Sequence, residues 1–586
     1  MNNSCFALLL LLLGCGGCSP DSLINNIDQP QNTETENSST DTTTVAPKFD
    51  ESALSGDSIS GTKFDRTIQI VFTDGGAQIT GDDNNTVTVN GNHVTVNNST
   101  DEKVIYELKG SAQDGSIKLY SSKKQALVLN GLDLTNTTGS VINNQGKKKC
   151  FVVVKGTNNL KDAASYSSTP TDEDEKAALF SEGQLIFSGD GTLTVTAQGK
   201  SGITSDDYIH FMESQVINVS SSAGHGIRGK ESVIISNGTI NVQVSANMKK
   251  GIASDSLVCI NGGVTVINVT GSAAYDSEDE EYKGTAGIKA DYLFEINGGS
   301  LDVTNKGTGG KGISGDLTGS FNGGTVKVTT TGSNYGSSSG DPWNKTSSNS
   351  VSAKGIKFDG NIIFSGGTIT VNCTAHEGIE SKGSIIIKDG VVYSYSAADD
   401  AMNSAGTFTI EGGYVCGYSV GNDGLDANGD FYIKGGTVYA IGASSPEVAI
   451  DANSEARKKL YVQGGTIVAI GGLESGSSIS NGTCKYTTSW AEKSWHALYN
   501  GSDPVLVFQT PAKSSSGGGR GPGGGHGGGP GGGPGGGNGN QTLIVYTSST
   551  PTLKSGVTIS GGTELFSGMA NYGGSVSGGS SVTLSN

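Results

Sequence analysis

Four carboxylate-rich passages recur late in the chain at a nearly constant interval. They read His376-Glu-Gly-Ile-Glu-Ser-Lys, Asp399-Asp-Ala-Met-Asn-Ser-Ala, Asn422-Asp-Gly-Leu-Asp-Ala-Asn and Glu447-Val-Ala-Ile-Asp-Ala-Asn. Their apolar residues Ile379, Met402, Leu425 and Ile450 are 23, 23 and 25 residues apart. Just before the pair that ends in this residue stand Glu377, Asp400 and Asp423; just after it stand Glu380, Asn403, Asp426 and Asp451. If the interval is one turn of a stacked structure, these become two adjacent columns with neighbours ~4.8 Å apart. Two screened charges about 5 Å apart repel by about one to a few kcal/mol, so a ladder of them needs a counter-ion. Ca²⁺ suits such a ladder, because it takes about six to eight oxygen ligands in flexible geometry. Asn428 and Asp430 add oxygens near Asp426, and the expected ligand set is Glu377, Glu380, Asp400, Asn403, Asp423, Asp426, Asp430 and Asp451. Solvated corners are the other reading, since Asp and Asn are common in turns.

In earlier passages the same two positions turn basic. The first column holds Lys250, Lys311 and Lys354, and the second holds Arg228, Lys289 and Lys357. A stripe that runs from basic to acidic suits an extended polymer, with lysines on sugar carboxylates and calcium bridging at the acidic end. Charge alternation that keeps a repeat protein soluble explains it equally. A second stripe is aromatic: Tyr393 and Tyr395, Cys416 and Tyr418, Tyr439 and Ile441, then Val468 and Ile470. An apolar stripe of this length is rarely bare. Either the segment after 476 covers it, or Tyr393, Tyr395, Tyr418 and Tyr439 stack sugar rings. Tyr335 and Trp343 in a long insertion are further aromatic candidates.

The elements that position these columns are short strands with Gly-Gly turns, such as Phe408-Thr-Ile-Glu-Gly-Gly and Phe431-Tyr-Ile-Lys-Gly-Gly. The Gly-Ile unit also occurs at Ile203, Ile227, Ile252, Ile288, Ile313 and Ile356. A period of about 24 residues is right for one coil of a solenoid and too short for a propeller blade. The fold expected is an all-β parallel β-helix. Regular coils are expected over 185–475, irregular β coils and a cap over 61–184, and a flanking segment over 476–586. That segment holds a flexible glycine-rich loop at 517–540.

The 586 residues carry a formal net charge of −18, which argues against nucleic acid as a partner. Phe6 to Leu13 is an apolar run too short for a membrane span. It ends in Leu12-Leu13-Gly14-Cys15, which resembles a bacterial lipobox with Cys15, or Cys18, as the lipidated residue. The expectation is a signal peptide over 1–18, a disordered tether over 19–60, and an exported lipoprotein anchored to membrane by lipid alone, at the cell surface. Cys150, Cys259, Cys373, Cys416 and Cys484 are widely spaced, read as small buried thiols, and form no zinc pattern. No recognisable Ser–His triad, Walker or dinucleotide motif is present. Arg228 is the best base for a calcium-dependent lyase, but it lies six coils before Ile379, roughly 29 Å away; Lys382 is a weaker alternative.

The repeats resemble a bacterial family of carbohydrate-binding proteins with a pectate-lyase-like parallel β-helix. The likeness runs through Ala126-Leu-Val-Leu-Asn-Gly-Leu-Asp-Leu-Thr-Asn, through Ala177-Ala-Leu-Phe-Ser-Glu-Gly, and through Gly224-His-Gly-Ile-Arg-Gly-Lys, over roughly residues 80–475. The resemblance implies a right-handed helix, calcium sites, and binding of plant cell-wall polymers such as cellulose or polygalacturonate rather than catalysis. The alternatives are a polysaccharide lyase and a surface adhesin with no sugar ligand.

Overall fold

Three short strands make each coil. In the coil that starts at Ile379 they are Ile379–Ser381, Ile385–Ile387 and Val391–Ser396. Each pairs in parallel with its counterpart in the next coil: Ile379 opposite Met402, Ile385 opposite Phe408, Val391 opposite Tyr414. Alternate Ile and Val side chains suit a pleated strand with one face inside, and Ile379, Ile385, Ile387 and Val392 are fully buried. The first strands of successive coils form one sheet of 14 strands. The fold is thus the all-β parallel β-helix expected from the sequence. The computed structural model describes residues 51–167, 173–336, 350–513 and 541–586, with the short pair Ile24–Asn25 and Lys48–Phe49.

Stacking brings like residues together. The rings of Phe408 and Phe431, one coil apart, stack with centroids 4.5 Å apart. Glycine serves two separate needs. The corner glycine of the Gly-Gly pair is left-handed, as at Gly413 (φ 73°), which favours a residue without Cβ. The glycine before the apolar residue serves close approach: a Cβ on Gly355 would stand 2.3 Å from both the Gly378 carbonyl oxygen and a Val371 methyl. Parallel stacking begins ahead of the Gly-Ile signature. His93–Asn98 pairs with Ser116–Ser121, and the file continues through Ile142–Asn144 and Ala177–Ser181.

Two insertions leave the same edge. One is an antiparallel hairpin, Ala274–Asp276 with Glu281–Lys283. The other is closed at its neck by a bridge between Tyr335 and Val351. At the far end, Leu543–Thr547 returns antiparallel against Thr466–Ile470. A six-stranded antiparallel sheet, with Trp495–Asn500 and Asp503–Gln509 before this strand and four strands after it, lays Leu498, Phe508 and Leu553 over the last coils, with Phe566 beside them. At the near end, Leu54, Ile59 and Phe64 pack on an outer apolar file that contains Phe151, Ile186 and Ile234.

Cys15, Cys18, Trp343 and the loop 517–540 lie outside the described residues, as does nearly all of 1–50. No helix among the described residues is long and apolar enough to cross a membrane.

Candidate functional site

The first sheet carries the charged columns. Register places Thr204, Arg228, Ala253, Lys289, Ser314, Lys357, Glu380, Asn403 and Asp426 in one file. Isolated bridges from Leu425 to Ile450 and from Ile450 to Leu473 extend it to Asp451 and Glu474. Glu474 escaped the sequence reading, although Leu473 repeats the interval, 23 residues after Ile450. In the first file Lys250 stands opposite Ala286, then Lys311 and Lys354.

Most of the basic residues are already neutralised by corner aspartates. Arg228 makes two contacts of 2.8 Å with Asp255. Lys289 pairs with Asp291 at 2.9 Å and with Asp316, and Lys357 pairs with Asp359. Such bidentate and forked pairs occupy the charge that a ligand would need. Lys311 has no ion pair among the described residues, and Lys250 only donates to the Met248 carbonyl at 2.8 Å. Burial, helped by neighbouring lysines, lowers both ammonium groups to about 8. Both are cations at neutral pH without an acid.

At the junction of the two halves the sequence reading needs correction. Lys354, expected to contact sugar, is 8% exposed and lies between Glu377 at 3.1 Å and Glu380. Lys382 also pairs with Glu380. His376 contacts Glu377 and, at 2.8 Å, Asp399. Burial opposes a charged His376, but the adjacent Asp399 and Glu377 carboxylates outweigh it and raise the imidazole to about 9. Glu380, expected as a metal ligand, thus already has Lys354 and Lys382; Glu377 has Lys354 and His376 beside it, and with His376 and Asp399 it forms a group whose ligand atoms lie within 4.8 Å of one another. Asp430 is not among the carboxylates whose oxygens come within 4.8 Å of one another at this end; its Oδ1 accepts the Lys459 backbone N–H at 2.9 Å at a corner.

Beyond the junction neither file holds a Lys, Arg or His among the described residues. Asp423, Asp426 and Asp451 offer oxygens within 4.8 Å of one another. Asp400 is 3% exposed; it accepts from the Asp423 backbone N–H and from Asn403 Nδ2, both at 3.0 Å. Asp423 accepts from the Val448 N–H at 2.6 Å. None of the four carboxylates has an ion pair with Lys, Arg or His among the described residues, in contrast to Glu377 and Glu380. Burial first, then the neighbouring carboxylates, raises all four: Asp400 well above the usual range, Asp423 to about 8, Asp426 to about 6 and Asp451 to about 10. Asp451 also shares a hydrogen bond with Glu474. A set of buried and half-buried oxygen donors with no positive partner among the described residues fits a hard divalent cation.

The late aromatic stripe is covered. Tyr439 is fully buried and donates to the Gln509 carbonyl at 2.7 Å, with Phe508 against its ring. Tyr393 is 6% exposed under Phe566. Neither offers a face to sugar, which corrects the platform reading for both. Tyr395 and Tyr418 meet edge to face, centroids 5.3 Å apart, half-buried at the margin of the same cluster. By contrast Tyr335 joins an aromatic cluster the sequence did not reveal. Tyr282 packs 5.6 Å from Tyr335 and 5.1 Å from Tyr275, which is 50% exposed. The two insertions thus meet above the corner that leads to Lys311.

Curated proteins give no match to the chain. Among solved structures, a polysaccharide lyase-like protein from C. thermocellum, in a gadolinium derivative, is similar at 22% identity. The match covers 45% of this chain and 92% of that one, with a TM-score of 0.32. A family model described as carbohydrate-binding domain-containing protein matches residues 90–256 and 242–401, together more than half of the chain. The first-sheet files from Lys250 to Asp400 fall inside that span, and the chain belongs to the carbohydrate-binding domain-containing protein family.

Proposed function

We propose that the protein binds an acidic, polygalacturonate-like polysaccharide along the first sheet of its solenoid, with calcium at the acidic end. The observation that carries this reading is a pair of uncompensated charge centres on one sheet. Among the described residues, Lys250 and Lys311 have no ion pair with an acid, and Asp400, Asp423, Asp426 and Asp451 have none with a cation. Three coil steps separate Lys311 from Asp400, roughly 14 Å, a span an extended glycan covers. Lys311 would pair with sugar carboxylates, and Tyr275, Tyr282 and Tyr335 offer ring surface beside it. Asp400, Asp423, Asp426 and Asp451 would hold Ca²⁺, with the Asn403 carbonyl oxygen beside them. Bound there, calcium supplies the positive charge that lets a carboxylate-bearing polymer approach this end.

Cellulose, a neutral polymer, leaves both charge centres unused, so the acidic glycan is the preferred ligand. Display at the cell surface through a lipid on Cys15 or Cys18 completes the reading. Binding without cleavage is favoured because Arg228 and Lys382, the bases expected for a lyase, are both held by carboxylates. Retention on immobilised polygalacturonate and on cellulose, with calcium and with chelator, tests it. Calcium-dependent retention on polygalacturonate is expected. Equal retention in chelator removes the metal from the reading, no retention on either glycan removes the ligand, and a rise in ultraviolet absorbance from unsaturated product makes the protein a lyase.

A further inference from the structure

Along the outer face of the second strands, His210 interrupts an apolar file. It stands between Ile186 and Ile234, is 3% exposed, and lies under the covering segment that includes Leu54, Ile59 and Phe64. A buried imidazole needs partners for both nitrogens, and both are present. Nδ1 is 2.7 Å from Oδ2 of Asp57, and Nε2 is 2.9 Å from Oγ of Ser236. Asp57 is 1% exposed and comes from the covering segment, 153 residues from His210 in sequence. Its Oδ1 accepts from the Tyr208 hydroxyl at 2.8 Å and from Lys149. Burial would raise this carboxyl, but hydrogen bonds from His210, Lys149 and Tyr208 outweigh burial and hold it below the usual range. Asp57 is therefore an anion.

Ser236 follows strand Ser232–Ile235 and is half-exposed. Asn261 occupies the next place in its file, since Ile235 stands opposite Ile260. Asn261 Oδ1 accepts from Asn297 Nδ2 at 2.8 Å. Asn261 thus stands one strand spacing, ~4.8 Å between backbones, along the stack from Ser236.

A pin for the covering segment needs only Asp57 and His210. The chain of contacts goes on to a surface hydroxyl, in the order carboxylate, imidazole, nucleophile. We propose that Asp57, His210 and Ser236 form a second site, which removes short acyl groups from esterified hydroxyls of a glycan. Ser236 Oγ attacks the ester carbonyl while His210 Nε2 takes its proton, and Asn261 Nδ2 donates to the developing oxyanion. Collapse breaks the acyl–oxygen bond, and the alcohol leaves with the proton from His210. A water, deprotonated by His210, then attacks the acyl-serine, releasing the carboxylic acid and restoring the Ser236 hydroxyl. Asp57 is a positioning residue that keeps the proton on Nδ1.

The glycan in this proposal rests on the family and on the function proposed above; acyl transfer by Ser236 does not. The full chain is therefore treated with a fluorophosphonate probe and assayed on 4-nitrophenyl acetate, then on acetylated polygalacturonate. The expected result is a label on Ser236 and a loss of about 10²-fold or more in aryl-ester hydrolysis for Ser236→Ala and His210→Gln. Asp57→Asn is expected to lower kcat at unchanged KM. Ser236→Ala keeps the fold of the parent, as its thermal melt checks, so loss of activity there is not loss of structure. An unlabelled Ser236 in the folded chain, or a Ser236→Ala variant as active as the parent, overturns the proposal. Turnover of the aryl ester without turnover of the acetylated glycan overturns the assigned substrate.

Discussion

The stability of the last coils is expected to fall with rising pH when calcium is removed. Asp426 is raised from an ordinary 3.8 to about 6 in the fold, and Asp423 to about 8. The folded state then keeps protons that the unfolded chain has released. This contribution is present below pH 3.8 and is lost as pH rises through 6 for Asp426 and through 8 for Asp423. A shift of about two units corresponds to roughly 3 kcal/mol from Asp426 alone. Calcium replaces those protons, and at one hundred times its Kd it adds back about 2.7 kcal/mol. His376 acts in the same direction. Its folded value of about 9 contributes stability below 6.5 that is lost as pH rises through 9, and calcium does not restore that part. The assay is hydrogen exchange at residues 400–430, with urea midpoints, at pH 5 and pH 8, in chelator, calcium and magnesium. Protection factors, corrected for the intrinsic pH dependence of amide exchange, that are lower in chelator at pH 8 than at pH 5 and restored by calcium are the expected pattern. Protection factors that are flat across this range in chelator, or unmoved by calcium, refute the reasoning that these four carboxylates are uncompensated.

Further outcomes follow from individual contacts. Lys354→Met removes the cation shared by Glu377 and Glu380 but leaves Lys382 and His376 beside them, and should cost about 1–3 kcal/mol, read from the urea midpoint. Lys311→Gln should weaken polygalacturonate binding by about 1 kcal/mol, roughly fivefold in Kd, with a shallower salt dependence and an unchanged melt. Tyr439→Ala should destabilise by about 3–5 kcal/mol, since it empties a buried site and orphans the Gln509 carbonyl, while glycan retention stays at the parental level.

The repeat interval made the register legible. Ile379, Met402 and Leu425 fall opposite one another because a coil of fixed length can pair only one way, and Glu380, Asn403 and Asp426 follow them. The close approach of coils at the glycine before the apolar residue was not legible in the interval, because it depends on which atoms of the next coil face that glycine. Pairing between files was harder to read. Lys354, Glu377 and Glu380 looked like members of opposite stripes, yet one lysine reaches two carboxylates on the next coil and closes the charge locally. The burial of Tyr439 depended on where residues 495–509 fold back, which no local period encodes. The chain from Asp57 to His210 and Ser236 spans contacts 153 and 26 residues apart, with Asp57 in a segment outside the repeat.

The returning strand Leu543–Thr547 bears on how the molecule behaves in a crowd. A stack of parallel coils ends in a row of open amides and carbonyls that would accept a coil from another copy. Here Leu543 to Tyr546 occupy the edge at Ile467 to Ile470 in the opposite direction, and an antiparallel seal offers an incoming coil no matching template. What looks like a tail is a seal on that edge: Leu543–Thr547 takes the hydrogen-bonding positions beside Thr466–Ile470, and Thr483–Thr487 closes its other side.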